Sequence, residues 1–182
     1  MTLELVTAFT NLEALKTPTI PYVFSDHKPE DTAQLCKDMV EALYKYDGLG
    51  ISANQLGLPW SIFAIRSEEP EKAVIFNPHI AMPGEEIVKL EEACLSFPRL
   101  VVPIKRAKVI RVRFASATGE TDSHTFTGMT ARVFAHEMDH LAGRMFFEGC
   151  SRFHLERAIR QAKNKGYDYS AMGLMKYAKG DK

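Results

Sequence analysis

The sequence has too few cysteines for a disulfide framework and no apolar run long enough to cross a membrane. Its three cysteines are an odd number in 182 residues, whereas small secreted proteins that depend on disulfides carry many more. An acidic residue, Glu4, stands near the start, and the basic beginning of a signal peptide is missing. These absences predict a protein of the reducing cytoplasm that has no membrane partner.

The formal net charge is zero, since Lys+Arg and Asp+Glu both number 23. No overall field therefore attracts nucleic acid, and direct DNA binding is not expected. The charge is uneven, however, because residues 151–182 carry eight basic against three acidic side chains. This basic C-terminal helix and tail could dock among ribosomal RNA phosphates, or could be a solvated cationic face of a packed helix.

Apolar periodicity predicts one α+β domain over residues 1–182, a length sufficient for a substantial core. The predicted helices span 30–46, about 128–143 and about 152–164. The predicted strands are 60–66, 73–76, 87–92, 101–102, 108–114 and 121–126, with an acidic turn at 68–71. The chain before Pro29 is expected to be irregular, and Asn77-Pro78 to close its strand. This order favours mostly antiparallel sheets around a central helix, flanked by an N-terminal and a C-terminal helix.

The most informative stretch reads HEMDH, residues 136–140, in the central predicted helix. Residues four apart lie on the same helix face, so His136 and His140 can bind one metal ion together. Glu137 stands beside the first ligand, where a carboxylate can take a proton from water. Asp139 lies off that face and is suited to steady the helix or a ligand. The stretch is typical of a metal-dependent hydrolase.

Two histidines leave a catalytic metal site one protein ligand short. One peptidase class has a third histidine six residues after the second, but position 146 is Phe. Glu148 or Glu156 would complete a thermolysin-like peptidase. Upstream, Cys94 would add a thiolate to two imidazoles, a set that suits iron(II), zinc, nickel or cobalt. A binding protein that holds the metal without catalysis is a further alternative.

Three motifs together resemble the peptide deformylase family: GLGISANQ at 48–55, EACLS at 92–96 and AHEMDHLAG at 135–143. The resemblance covers roughly residues 35–147. The chain departs from the family pattern at Ser52, Ala93 and Ala135, where Ala, Gly and Gln are usual. None of these three is a metal ligand or the expected base, although Ala93 would be strained if the family glycine supplies a positive φ.

The resemblance implies hydrolysis of the N-formyl group from the initiator methionine of nascent polypeptides, with release of formate. It implies one divalent metal ion, with Fe(II) favoured and Zn(II) or Ni(II) as substitutes. The base would take a proton from water, while two N–H donors would stabilise the oxyanion. The implied ligands are Cys94, His136 and His140, the implied base is Glu137, and the implied donors are the Gln55 side chain and the Leu95 backbone.

The resemblance also places the formylated peptide beside the glycine-rich loop, where missing side chains permit strand-like main-chain pairing. An apolar pocket for methionine is expected next to that loop. The substrate-binding residues would be Gly48, Leu49, Gly50, Leu90, Met129 and Val133. Arg132 falls near the pocket wall on the helical wheel, and its charge is expected to turn away or lie at the rim.

Overall fold

A computed structural model describes residues 3–67 and 73–178, and it confirms the α+β class. The helices in these ranges are α1 (Ala8–Lys16), α2 (Pro29–Lys45), α3 (Gly128–Leu141) and α4 (Arg152–Lys163). The strands are β1 (Gly50–Ser52), β2 (Ile62–Ile65), β3 (Val74–Pro83), β4 (Ile87–Cys94), β5 (Phe97–Ala107), β6 (Val109–Ala115) and β7 (Thr121–Thr127). The acidic turn predicted at 68–71 lies outside the described residues.

Two antiparallel sheets surround the central helix. The larger sheet has the order β1-β2-β3-β6-β7, and β4 and β5 form a separate hairpin. Helix α3 packs against β1, β2 and β5 and so lies between the larger sheet and the hairpin. Within the described residues, no helix is both long and apolar enough to cross a membrane.

Apolar side chains collect in three clusters that hold these elements together. Helix α2 covers β1, β2 and β3 around Met39 and Leu43. Helix α3 covers the neighbouring part of the same sheet through Phe134, whose ring meets Phe63 edge-on. Helix α4 and the chain after it pack on the hairpin, with Phe97 at the centre. Since each cluster contacts a segment of the central site, the core positions the site from several sides.

Two expectations about regularity are wrong. The chain before Pro29 is not wholly irregular, because α1 forms there with a break at Asn11, where φ is −157° and ψ is 83°. Asn77 does not close its strand, because it takes a left-handed conformation with φ of 47° inside β3. The strand pairing shifts register at that point. The Asn77 side-chain amide accepts the N–H of Tyr22 and donates to the carbonyl of Tyr22, both at 2.8 Å. A bulge thus lets β3 continue past Pro78.

Candidate metal centre

Helix α3 and the end of β4 bring three potential ligands together. His136 and His140 lie one turn apart on α3, and Cys94 is the last residue of β4. Each offers one ligand atom, and these atoms lie within 4.8 Å of one another; Cys94 Sγ is 3.1 Å from His140 Nε2. All three residues are buried. The group can hold a single metal ion, and a thiolate with two imidazoles is a donor set suited to one.

The protonation of the two histidines differs before a metal binds. Burial lowers the pKa of His140 well below its usual value, so this imidazole is neutral. Burial also opposes the charged form of His136, but hydrogen bonds with Cys94 and Glu92 raise its pKa to about 10. Metal binding therefore has to displace a proton from His136.

Glu137 lies beside this group and is poorly supplied with hydrogen bonds. Its Oε2 atom is buried and has no hydrogen-bond partner among the described residues. Burial raises the pKa of Glu137 to about 7, against the attraction of His136 and Arg106. A carboxyl group with a pKa near neutrality can accept and return a proton, as a general base must.

The opposite side of His136 carries a buried ionic network centred on Glu92. His136 Nδ1 lies 3.0 Å from Glu92 Oε2, and a carboxylate can only accept, so the imidazole donates and leaves Nε2 for a metal. Arg106 donates to both oxygens of Glu92, at 2.7 and 2.9 Å, and to Asp139 at 2.8 Å. Burial would raise the pKa of Glu92, but the bonds from His136 and Arg106 outweigh it and hold the pKa at about 2.

Arg132 belongs to the same network, so the expectation that its charge lies at the rim is wrong, and the charge turns inward to Glu92. The residue is 6% exposed. Its Nη1 donates to Glu92 Oε1 at 2.5 Å and to the carbonyl of Ile104 at 3.1 Å, and its Nη2 donates to the carbonyl of Val88 at 2.6 Å. The charge points inward because a carboxylate and two strand carbonyls are there to receive it.

A neutral hydrogen-bonded loop faces the cysteine. Gln55 lies in a short 3-10 helix, Ala53–Leu56, directly after β1 and is 1% exposed. Its Nε2 is 3.0 Å from Ser96 Oγ and 3.5 Å from Cys94 Sγ. The next residue after Cys94, Leu95, forms the two-residue turn with Ser96 that joins β4 to β5. The Gln55 amide therefore lies next to the Cys94 sulfur, and the Ser96 hydroxyl lies next to that amide.

Known proteins match both the sequence and the fold. The sequence profile of the polypeptide deformylase family matches residues 5–156. A peptide deformylase of Aquifex aeolicus is 37% identical over 141 residues, which are 75% of this chain and 81% of the relative. The chain belongs to the peptide deformylase family. It therefore removes the N-formyl group from the initiator methionine of nascent polypeptides and releases formate.

Solved peptide deformylases share the fold. The enzyme of Synechococcus elongatus, in complex with actinonin, has a TM-score of 0.81 and covers 98% of this chain and 92% of its own, at 24% identity. The Met-Ala-Ser-bound enzyme of Acinetobacter baumannii has a TM-score of 0.73 and covers 82% of this chain and 98% of its own, at 26% identity.

The three departures from the deformylase pattern are accommodated without strain. Ala93 is exposed in β4 and is not among the described residues with a positive φ, so a methyl group replaces the usual hydrogen without cost. Ala135 accepts a hydrogen bond from Arg106 through its carbonyl at 3.1 Å, a bond that needs no side chain. Ser52 is fully buried, and its hydroxyl lies 2.8 Å from Asn54 Oδ1 and 3.0 Å from Gln55 Oε1.

Three of the residues predicted to bind the deformylase substrate are large apolar side chains that remain exposed. Leu49, Leu90 and Met129 are 53%, 45% and 56% exposed, unusually high for large apolar side chains. Gly50 lies so close to α3 that a Cβ atom there would be 2.5 Å from Glu137 Oε1 and 2.7 Å from Val133 Cγ1. A side chain at Gly50 would therefore displace the expected base.

The acidic alternatives of the thermolysin-like peptidases lie elsewhere in the deformylase fold. Glu148 caps a 3-10 turn, accepting the N–H of Met145 at 2.8 Å. Glu156 is exposed on α4 and pairs with Arg152 at 3.3 Å. Neither joins the metal-binding group found among the described residues. Sequence reasoning instead missed Glu92 and Arg106 as supports of His136, although Glu92 opens the EACLS motif.

Proposed function

We propose that Cys94, His136 and His140 hold the single metal ion and that Glu137 is the general base of formyl hydrolysis. The observation that supports this most is the convergence of three ligand atoms beside a buried carboxylate oxygen that has no hydrogen-bond partner in the described part of the chain. A structural metal site needs no such carboxylate, whereas a hydrolytic one does.

A divalent metal ion bound there supplies Lewis acidity, polarising the formyl carbonyl and lowering the pKa of water. Glu137 takes the proton of the attacking water and returns it to the amide nitrogen as the C–N bond breaks. Its pKa of about 7 suits both transfers. The Glu92 carboxylate keeps His136 in the tautomer that presents Nε2 to the metal.

Negative charge that develops on the formyl oxygen needs donors that are already oriented. We assign this role to the Gln55 side-chain amide and the backbone N–H of Leu95, which flank Cys94. Donors held in place before the reaction stabilise the transition state without reorganising, and each is worth roughly 10²–10³-fold in kcat.

The formylated peptide fits between two strand edges. β1 is the edge of the larger sheet and β4 has only β5 as a neighbour among the described strands, so a peptide can add main-chain hydrogen bonds beside Gly48 and Gly50. The exposed apolar side chains of Leu49, Leu90 and Met129, with Val133, offer a pocket for methionine. The Met-Ala-Ser found in the Acinetobacter enzyme has the composition of such a product.

Iron(II) is the proposed metal, because one thiolate with two imidazoles suits it, while zinc or nickel fits the same set. The test reconstitutes the metal-free protein anaerobically with each ion and measures formate release from formyl-Met-Ala-Ser. Cys94→Ala should lose both the metal and activity. Cys36→Ala, which removes a partly buried thiol on α2, should keep both. A Cys94→Ala protein that retains one metal per chain and full activity would contradict the assignment.

The basic surface of α4 is proposed to dock on the ribosome. Arg157 on α4 and Lys165, just after the end of α4, are exposed and have no ion-pair partner among the described residues, and Phe153, one helical turn before Arg157, is 63% exposed. Ribosomal RNA phosphates attract such a surface in a salt-dependent manner. Co-sedimentation with ribosomes should occur at low salt and weaken when Arg157 and Lys165 are replaced by Gln. Its absence at every salt concentration would refute the docking.

We further propose that residues 1–182 act as one catalytic domain in the cytoplasm. In support, α3 contacts both sheets, and all three cysteines are free, as a reducing compartment would keep them. A thermal transition that coincides by circular dichroism and by loss of formate release supports a single domain. Two separate transitions would contradict it.

A further inference from the structure

Ser96 stands in a directed chain of hydrogen bonds that begins at the Gln55 amide. Its hydroxyl oxygen is 2.7 Å from the carbonyl of Val6 and 3.0 Å from Gln55 Nε2. A carbonyl can only accept, so the single hydroxyl proton goes to Val6. The lone pairs of Ser96 Oγ are then left to accept from Gln55. The direction of both bonds is fixed.

The other end of the amide is fixed independently. Gln55 Oε1 lies 2.9 Å from the backbone N–H of Ser52, which can only donate. The oxygen of the amide is therefore on the Ser52 side and the nitrogen on the Ser96 side. Since one Nε2 proton goes to Ser96, the second is available near Cys94 Sγ, 3.5 Å away. That second proton is the one that can meet the formyl oxygen.

A segment near the chain start ties the two loops together through its backbone. Val6 donates its N–H to the carbonyl of Gln55 at 2.7 Å, and Ala8 donates its N–H to the carbonyl of Ser96 at 2.8 Å. Ser96 is fully buried and Gln55 nearly so. The hydroxyl of Ser96 thus links the Gln55 side chain to the same segment that holds both loops through its main chain.

We propose that Ser96 is a positioning residue that holds the Gln55 amide in the orientation required for oxyanion stabilisation. The inference rests on the proposed role of Gln55. Without the hydroxyl, Gln55 Nε2 loses its fixed acceptor and the carbonyl of Val6 loses a donor. The oxygen end of the amide stays on Ser52, but its nitrogen end can swing about that contact, and its second N–H no longer stays aimed at the site. The effect falls on the transition state and leaves peptide binding alone.

The test is a double-mutant cycle on the metal-loaded enzyme, with Ser96→Ala, Gln55→Ala and the double variant. Ser96→Ala should lower kcat by about tenfold, the worth of one oriented hydrogen bond, with KM and metal content unchanged. In the Gln55→Ala background the same substitution should change kcat by less than about twofold, because it acts through an amide that is gone. The control is Ser151→Ala, which removes a serine hydroxyl that caps α4 by contacting His154, and it should leave kcat unchanged.

The possible outcomes separate the two proposals. No loss of kcat in Gln55→Ala overturns the proposed role of Gln55 itself. A loss in Gln55→Ala with none in Ser96→Ala, or an equal Ser96→Ala effect in both backgrounds, overturns the positioning role alone. If Ser96→Ala does not fold, the wild-type protein gives the answer. Its Gln55 side-chain amide protons, identified by their absence in Gln55→Glu, should be slow to exchange, and exchange as fast as in an exposed amide would overturn the proposal.

Discussion

Glu92 and Glu137 flank the same histidine, and both are buried, yet their surroundings give them opposite properties. Glu92 is 7% exposed and Glu137 is 3% exposed. Glu92 accepts bonds from Arg106, Arg132 and His136, whereas Glu137 Oε2 accepts none among the described residues. The pKa of Glu92 is held at about 2, and that of Glu137 is raised to about 7.

The difference shows that the number of donors, and not the depth of burial, decides what a buried carboxyl group can do. Burial raises the pKa of both groups, and hydrogen bonds and cations reverse the effect only at Glu92. A carboxylate that stays ionised at every physiological pH can orient an imidazole but cannot exchange protons. A carboxyl group near neutrality can exchange them. Glu137→Gln, Arg106→Gln and Arg132→Met each remove one part of this contrast.

The largest effect is expected when the proton-exchanging group is removed. Glu137→Gln keeps the size of the side chain and loses the base, so kcat/KM for formate release should fall about 10³-fold. The metal content should stay at one ion per chain, because the three ligands are untouched. Glu91→Gln, a matched change of an exposed carboxylate on β4, should leave both quantities unchanged. Parallel loss of metal and activity in Glu137→Gln would show that Glu137 is a ligand.

The next largest effect is expected when Glu92 loses the arginine that helps to keep it ionised. Arg106→Gln leaves the buried Glu92 without its bidentate partner and removes one bond to Asp139, so the free energy of unfolding should fall by about 3–5 kcal/mol. His136 then loses part of its support, and metal affinity should fall about tenfold or more. Urea unfolding and metal titration measure the two quantities.

The neighbouring residue provides the control for Arg106. Lys105 is exposed on the same strand, so Lys105→Gln removes the same charge and should change stability by less than about 0.5 kcal/mol. Equal losses for the two variants would mean that the net charge of the hairpin matters, and that the buried geometry around Glu92 does not.

Sequence patterns predicted one part of this site well because its geometry is local. The four-residue spacing of His136 and His140 has a fixed meaning on a helix, and α3 forms close to the predicted bounds. Cys94 and Gln55 lie 42 or more positions before His136, and only the resemblance to a family of known chemistry connected them. The apolar side chains that repeat along one helix face, and so predicted α2 and α4, are likewise local features.

Other parts could not be predicted because their causes are distant in the chain. Arg132 meets Glu92, Ile104 and Val88, which are 40, 28 and 44 positions away. A helical wheel gives the direction of such a side chain but not its partners. Helix α1 escaped detection for a local reason, since the break at Asn11 interrupts any 3.6-residue period.

Arg132→Met is expected to have a smaller effect than Glu137→Gln or Arg106→Gln. Glu92 retains both bonds from Arg106 and the bond from His136, and the methionine side chain replaces most of the apolar stem of arginine. The free energy of unfolding should therefore fall by only about 1–2 kcal/mol, because two strand carbonyls each lose one donor. Urea unfolding of Arg132→Met and Arg106→Gln under the same conditions ranks the two losses of stability. A loss as large as that of Arg106→Gln would mean that Arg132 is the main counter-ion of Glu92, and the bidentate pair from β5 would then be the secondary one.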